Sequence, residues 1–370
     1  MMEEFNKRPL VLITGSSGLI GTAVAEGLSG DFKVVGLDAK APAEKSKTGD
    51  FIECDLTRDE SVNLALETVK TKHGNRLASV VHLAAYYDFT GEPSEMYEKL
   101  TIEGTRRLLK KLQEFDVAEQ FIFSSTILVQ EPSLMGTSIT ETSPLEDEPW
   151  DYPRSKIEAE KVIRRIRGNI PAVILRIAGV YDEDTHTVPI AQQIARIYEK
   201  DFQSYFFPGD VSHGQAFVHL DDLVECFRLV IERRKELAET EIFLIAEPGL
   251  MSYEELQNQI GQLIHGEEEW TTVWIPKFAA KAGAWAQNLA ADEDEQFIKP
   301  WMIDLADDNF PVSIRHAQET LGWNPQNMLR DTLPKMIGRL KENPLRWYEI
   351  NKMSLPDELK ESSAGKAAKS

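Results

Sequence analysis

A chain of 370 residues can bury a large core and is expected to form one large unit with a second lobe, not a string of small modules. Its 41 Lys and Arg stand against 61 Asp and Glu, a formal charge of −20, which excludes nucleic acid and other polyanions as partners. Cys54 and Cys226 lie too far apart for a disulfide framework or a thiolate zinc site, and a reducing cytoplasm suits them. The acidic N-terminus lacks an apolar core segment and no window reaches about 18 uninterrupted apolar residues, so a soluble protein without membrane insertion is expected. The histidines are scattered, with no third ligand at convincing spacing near His213 and His219, so no metal site is expected. No G-x-S-x-G elbow points to a hydrolase.

The first element is Pro9 to Ile13, an apolar run that ends in the glycine cluster Thr14-Gly15-Ser16-Ser17-Gly18-Leu19-Ile20-Gly21 and leads into a helix-compatible segment. Strand, tight turn and helix in that order open a dinucleotide-binding unit: glycines let the backbone approach a pyrophosphate, and the helix N-terminus attracts it. The spacing here is G-x-x-G-x-x-G, so Gly15, Ser17, Gly18, Leu19, Ile20 and Gly21 are the candidate phosphate loop. A second apolar run, Phe32 to Leu37, ends at Asp38, 23 residues beyond Gly15. A carboxylate there grips ribose hydroxyls and repels a 2′-phosphate, favouring NAD over NADP, with Lys40 tempering the preference.

Phe51 to Leu56 reads as a third strand, and Thr57-Arg58-Asp59-Glu60 as a capping box opening a helix. Asp55 either belongs to that cap region or meets an adenine amino group, with Leu56 beside it. Ala78 to Ala85 is a fourth strand whose small end, Leu83-Ala84-Ala85, suits a backbone lying against a flat ligand. Helical spacing runs from Glu95 to Phe115, and a fifth strand, Glu119 to Thr126, ends in the hydroxyls Ser124, Ser125 and Thr126. Strands alternating with helices imply a parallel, doubly wound α/β sheet, with its ligand at the carboxyl ends of the strands. Tyr152 and Lys156 then share one face of an amphipathic helix, with Pro153 in its first turn. Further strands are expected at Ala172 to Ile177 and Glu241 to Ala246. Phe217 to Leu223 turns from strand to helix with an Asp as N-cap, and Ser252-Tyr253-Glu254-Glu255 is another capping box. Pro276 to Ala291 is an alanine-rich helix, read as packing of a second lobe ahead of a membrane-surface or substrate-entry role.

Taken together, the glycine loop, Asp38, Asp55-Leu56, His82-Leu83-Ala84-Ala85, Ser124-Ser125-Thr126, Tyr152-Pro153-Arg154-Ser155-Lys156, Phe217 to Asp222 and Gly322-Trp323-Asn324-Pro325 resemble the extended short-chain dehydrogenase/reductase family, often labelled NAD-dependent epimerase/dehydratase. The resemblance covers roughly the first 340 residues. It implies a Rossmann domain from residues 1–180 and 216–247 and a smaller, mainly helical substrate lobe from 181–215 and 248–345. A tail, 346–370, follows, its end expected to be disordered. Family members commonly pair through the helices after His82 and around Tyr152, so a homodimer is expected.

The resemblance also implies roles. A hydride moving to or from a carbinol carbon requires a proton to move at the oxygen, and Tyr152 would be the acid/base. Lys156 would lower its pKa and bind the nicotinamide ribose, and Thr126 would orient the substrate oxygen. The cofactor contacts would come from the loop residues, Asp38, Asp55, Leu56, Leu83, Ala84, Ala85, Ser124, Tyr152 and Lys156.

Departures bear on the substrate. Gln215 stands where nucleotide-sugar members carry an arginine for the diphosphate, Gly179 where they carry an asparagine, and Thr101 where an asparagine precedes Glu103-Gly104-Thr105. Ile127 and Leu128 replace the Asp-Glu pair of sugar 4,6-dehydratases. The expectation is therefore an NAD-dependent oxidoreductase acting on a secondary alcohol or ketone of a small or lipid-like molecule. A nucleotide-sugar epimerase is the alternative, and a non-catalytic NAD(P)-sensing protein the reading of another class.

Overall fold

The computed structural model describes residues 8–42, 49–88, 92–147, 149–281, 303, 306, 308–356 and 359–360. Its centre is a seven-stranded parallel sheet built from β1 (Leu10–Thr14), β2 (Lys33–Asp38), β3 (Asp50–Glu53), β4 (Ser79–His82), β5 (Phe121–Thr126), β6 (Ala172–Ile177) and β9 (Thr240–Ile245). A separate parallel pair, β7 (Gly179–Tyr181) and β8 (Phe217–His219), lies between them in sequence. The strand order is β9-β6-β5-β4-β1-β2-β3. From β1 the chain runs outward through β2 and β3, then returns to the other side at β4. That reversal opens a crevice at the carboxyl ends of β1 and β4, the position where doubly wound sheets bind ligands.

The inner strands are mainly apolar because helices cover both faces and leave no position for a solvated side chain; their polar residues, such as His82, Thr126 and Arg176, are buried as well. Every residue of β1, β4, β5 and β6 is buried. On one face pack α1 (Leu19–Leu28), α6 (Leu220–Glu232) and α8 (Arg315–Leu321), through Val24, Leu28, Phe227, Ile231 and Leu321. On the other pack α2 (Asp59–His73), α3 (Glu103–Leu112) and α4 (Asp151–Ile166), through Leu66, Leu108, Leu112 and Ile163. Each such fully buried apolar side chain contributes roughly 1.5–3 kcal/mol against exposure.

A third core lies beyond the sheet. There α5 (Val188–Tyr198), α7 (Tyr253–His265), α9 (Leu329–Glu342) and α10 (Pro344–Ile350) enclose Ile190, Ile194, Ile260, Leu333, Ile337, Trp347 and Tyr348. Trp347 and Tyr348, expected in a C-terminal tail, are instead core residues, because α10 packs against α9 and α5. The chain is fastened back to the sheet layer at Asp222: Trp323 Nε1 donates to its carbonyl at 2.9 Å, and Gln326 N and Asn327 N donate to its carboxylate at 2.9 and 2.8 Å.

Several local expectations change. The third and fourth strands are shorter than their apolar runs, and the segment before α3 is a π-helical turn, Tyr97–Ile102. There the Thr101 carbonyl accepts from the Thr105 hydroxyl at 2.6 Å, and its own hydroxyl from Tyr86 N at 3.0 Å. Thr57 is not a cap: α2 starts after Arg58, and the Thr57 amide and hydroxyl instead donate to Asp55 Oδ1 at 2.9 and 2.6 Å. The N-cap of α6 is His219, whose Nδ1 accepts from Asp221 N at 3.2 Å, displacing the expected Asp. The Ser252–Glu255 capping box is present. Of Pro276 to Ala291, residues 277–281 are helical and 282–291 lie outside the described residues.

Candidate active site

The glycine loop is shaped by three different demands. Gly15 sits at φ +72°, a left-handed conformation, and a Cβ there would lie 2.8 Å from Ala84 N, at the end of β4. Gly21 has no room either, since its Cβ would come within 2.1 Å of Gly15 O. Gly18 differs: it is extended and exposed, and a Cβ would meet only Gly15 O at an ordinary 3.5 Å. The chain's own packing therefore does not require glycine at 18, whereas a phosphate resting on the backbone does. Gly18 is the N-cap of α1 and makes no side-chain cap, so the helix presents amide groups to an anion here. Leu19 is 40% exposed, and Ile20 packs against the core.

Asp38 ends β2 beside this loop. Its carboxylate accepts from Ser17 N and Lys40 N, each at 3.1 Å, and Ser17 Oγ donates to Lys40 O at 2.7 Å. The two amides fix the carboxylate in place beside the glycine turn. Asp55 stands half-buried at the end of the neighbouring strand with Oδ1 taken up by Thr57, and Leu56 is buried against Gly104. Leu83, Ala84 and Ala85 continue β4 half-buried, Leu83 N bonding Thr14 O at 3.1 Å. Beneath them His82 bridges Thr14 Oγ1 at 2.6 Å and Thr105 Oγ1 at 2.9 Å, joining β1, β4 and α3. Burial, seconded by the Lys156 charge, lowers its pKa to about 3, so it is a neutral strut.

Thr126, Tyr152 and Lys156 meet at the carboxyl end of β5. Thr126 is 5% exposed and hydrogen-bonds the Tyr152 hydroxyl; its own Oγ1 also accepts from Leu128 N at 3.3 Å, capping the turn Ile127–Val129. Lys156 is 3% exposed and donates from Nζ to Ser124 O at 2.7 Å, 5.8 Å from the Tyr152 ring centroid. Burial lowers the lysine to about 7 against the opposing field of Glu160. The phenol is not lowered by these residues alone: burial pushes it up, and the Thr126 hydrogen bond offsets only part of that. Tyr152 consequently holds its proton in this state.

Spacing gave no sign of the groups that surround this trio. Ser125 Oγ donates to Glu160 Oε1 at 2.6 Å, and Arg176 holds both Glu160 oxygens at 3.2 and 2.9 Å, a buried ion pair one turn beyond Lys156. Tyr87 meets the Tyr152 ring edge-on at 5.0 Å, and Trp150 lies 5.5 Å from it. Across the site Gly179 pairs with Phe217, and a Cβ at 179 would be 2.7 Å from the Phe217 ring. A phenyl ring therefore fills the space an asparagine side chain would use. Gln215 is half-buried two residues before it. Among the described residues no group of His, Cys, Asp and Glu is placed to hold a metal ion, and no helix is long and apolar enough to cross a membrane.

The sequence profile of the NAD dependent epimerase/dehydratase family matches residues 11–246, from β1 through the end of β9. The chain belongs to that family. NAD is accordingly its cofactor. Over 331 residues it is 25% identical to a UDP-glucose 4-epimerase of Vibrio cholerae, covering 87% of this chain and 92% of the relative. It is 23% identical over 349 residues to 3 beta-hydroxysteroid dehydrogenase type 7 of Mus musculus, covering 85% and 90%. Among solved structures, a UDP-glucuronic acid 4-epimerase from Bacillus cereus in complex with UDP-glucuronic acid and NAD superposes with a TM-score of 0.66. That match is at 19% identity over 90% of this chain and 99% of the other, and shows the shared fold.

Proposed function

We propose that this family member is an NAD-dependent oxidoreductase acting on a secondary alcohol or ketone of a small or lipid-like molecule. NAD, when bound, supplies the hydride acceptor or donor. The chain's own residues handle the oxygen and its proton. Thr126 would hold the substrate oxygen beside Tyr152, whose neutral phenol is the form that donates to a carbonyl oxygen during reduction. Lys156, one turn along α4 and bonded to Ser124 O, would bind the nicotinamide ribose hydroxyls. Asp38 favours a free ribose over a 2′-phosphorylated one, so NADP is the less suitable form.

The observation that carries the substrate reading is the Gly179–Phe217 contact together with Gln215. Where the resemblance puts an arginine for the diphosphate this chain has the uncharged Gln215, and at 179, in place of an asparagine, a glycine packed against the Phe217 ring. The alternative, a nucleotide-sugar epimerase, draws on the 25% identity to the Vibrio cholerae enzyme. NADH formation with hydroxysteroids, flavonoids and hydroxy-ketones, alongside calorimetry with UDP-glucose, separates the two. Turnover of an alcohol that falls about 10²- to 10⁴-fold in Tyr152→Phe is the expected result. UDP-sugar interconversion with no alcohol turnover would sink the proposal in favour of the epimerase. Binding of NADH without any turnover would favour the sensing role. A homodimer through α3 and α4 belongs to the same proposal, with sedimentation as its measurement.

A further inference from the structure

The rim of the site next to Tyr152 is aromatic on two sides. Tyr87 stands at 81° to the Tyr152 ring and is 56% exposed, although its loop is firmly held. Tyr86 N bonds Thr101 Oγ1 at 3.0 Å, the Tyr86 ring packs edge-on against Tyr97 at 4.8 Å, and Tyr97 OH bonds the Asp88 carbonyl at 3.1 Å. Trp150, tilted 40° to Tyr152, directly precedes the first turn of α4. The charged side chains described at this rim are already committed. Asp151 is ion-paired with Arg154, and Asp88 Oδ2 accepts from Tyr86 OH at 3.2 Å. A large aromatic side chain left half in solvent costs hydration, and a flat apolar ligand laid against it removes that cost.

We infer that Tyr87 and Trp150 form a substrate wall that selects a flat, uncharged ring system carrying the reacting carbinol. The inference rests on the oxidoreductase reading above and names its substrate class. With the substrate oxygen within hydrogen-bond reach of Tyr152, the ring attached to that carbon would lie beside Tyr87 and Trp150, whose rings contact the Tyr152 ring. Because Tyr97 and Thr101 hold the Tyr86–Asp88 loop in place beforehand, little ordering entropy is spent on binding. A diphosphate entering by this route would meet Asp151 and Asp88 and no uncommitted cation described at the rim.

The test uses the full chain with NAD and two probe alcohols, a 3-hydroxysteroid and propan-2-ol. Tyr87→Ala and Trp150→Ala should raise KM for the steroid about tenfold more than for propan-2-ol, and Tyr87→Phe and Trp150→Phe should restore it. NADH fluorescence reports that each variant is folded. Tyr87→Leu, at an exposed position, supplies another ring deletion should Trp150→Ala fold poorly. Equal KM changes for both alcohols, or none, would overturn the wall while leaving the oxidoreductase reading standing. Wild-type protein that binds NADH but oxidises neither alcohol would overturn both.

Discussion

Glu247 shows what a single residue adds that no motif announces. It follows the apolar strand β9, is 8% exposed, and accepts from Tyr181 OH at 2.6 Å and from Leu329 N at 2.9 Å. Burial raises its pKa to about 7, with Asp222 adding to the shift and the two hydrogen bonds and Arg330 opposing it. A carboxyl whose folded pKa lies above its unfolded value stabilises the fold fully below about 4.5 and loses that contribution as pH rises through 7. Relative to Glu247→Gln, which keeps the acceptor oxygen without a titrating proton, wild-type protein should lose on the order of 3 kcal/mol between those limits. Above them the difference should level off. Thermal melts of both proteins from pH 4 to pH 8 measure it, and parallel curves would refute the assignment. From sequence alone a glutamate after a strand reads as a solvated loop residue; its burial depends on Tyr181 and α9 arriving from distant parts of the chain.

The turn from β1 into α1 separates what a glycine does for the fold from what it does for a ligand. Alanine at 21 would put its Cβ 2.1 Å from Gly15 O and force the turn apart, whereas alanine at 18 meets only a 3.5 Å contact. Gly21→Ala should therefore cost about 1–3 kcal/mol of stability. Gly18→Ala should stay within about 0.5 kcal/mol of wild type while binding NADH about tenfold more weakly, because the methyl stands where a phosphate must approach. Melting temperatures and NADH titration test the pair, and undiminished NADH affinity in Gly18→Ala would contradict the assignment. This element was legible in advance because the turn, its glycines and the following helix are contiguous. The π-helical turn before α3 was not, since there Tyr86 N bonds the Thr101 hydroxyl and the Thr105 hydroxyl captures the Thr101 carbonyl.

Across the whole molecule, Asp222 joins the sheet layer to the segment that leads into α9. Asp222→Ala would strand Gln326 N and Asn327 N, costing about 1–3 kcal/mol per unsatisfied group. Limited proteolysis should then cut near residues 322–328 faster than in wild type, and unchanged cutting would show that the Trp323 contact suffices. The sequence by itself determined the doubly wound α/β class, the glycine turn from β1 into α1, and Tyr152 with Lys156 on one helix face, because each is a local pattern: a short period, a turn, a spacing of one helical turn. Tertiary structure decided what lies around them. Thr126 reaches Tyr152, Glu160 meets Arg176, Phe217 fills the space beside Gly179, and Tyr87 and Trp150 flank the phenol. Most of those partners are far apart along the chain, and only the crossover from β3 to β4 and the packing of helices on both sheet faces bring them together. The cofactor was readable because a pyrophosphate is held by backbone and glycines, whereas a substrate is held by side chains gathered from several elements.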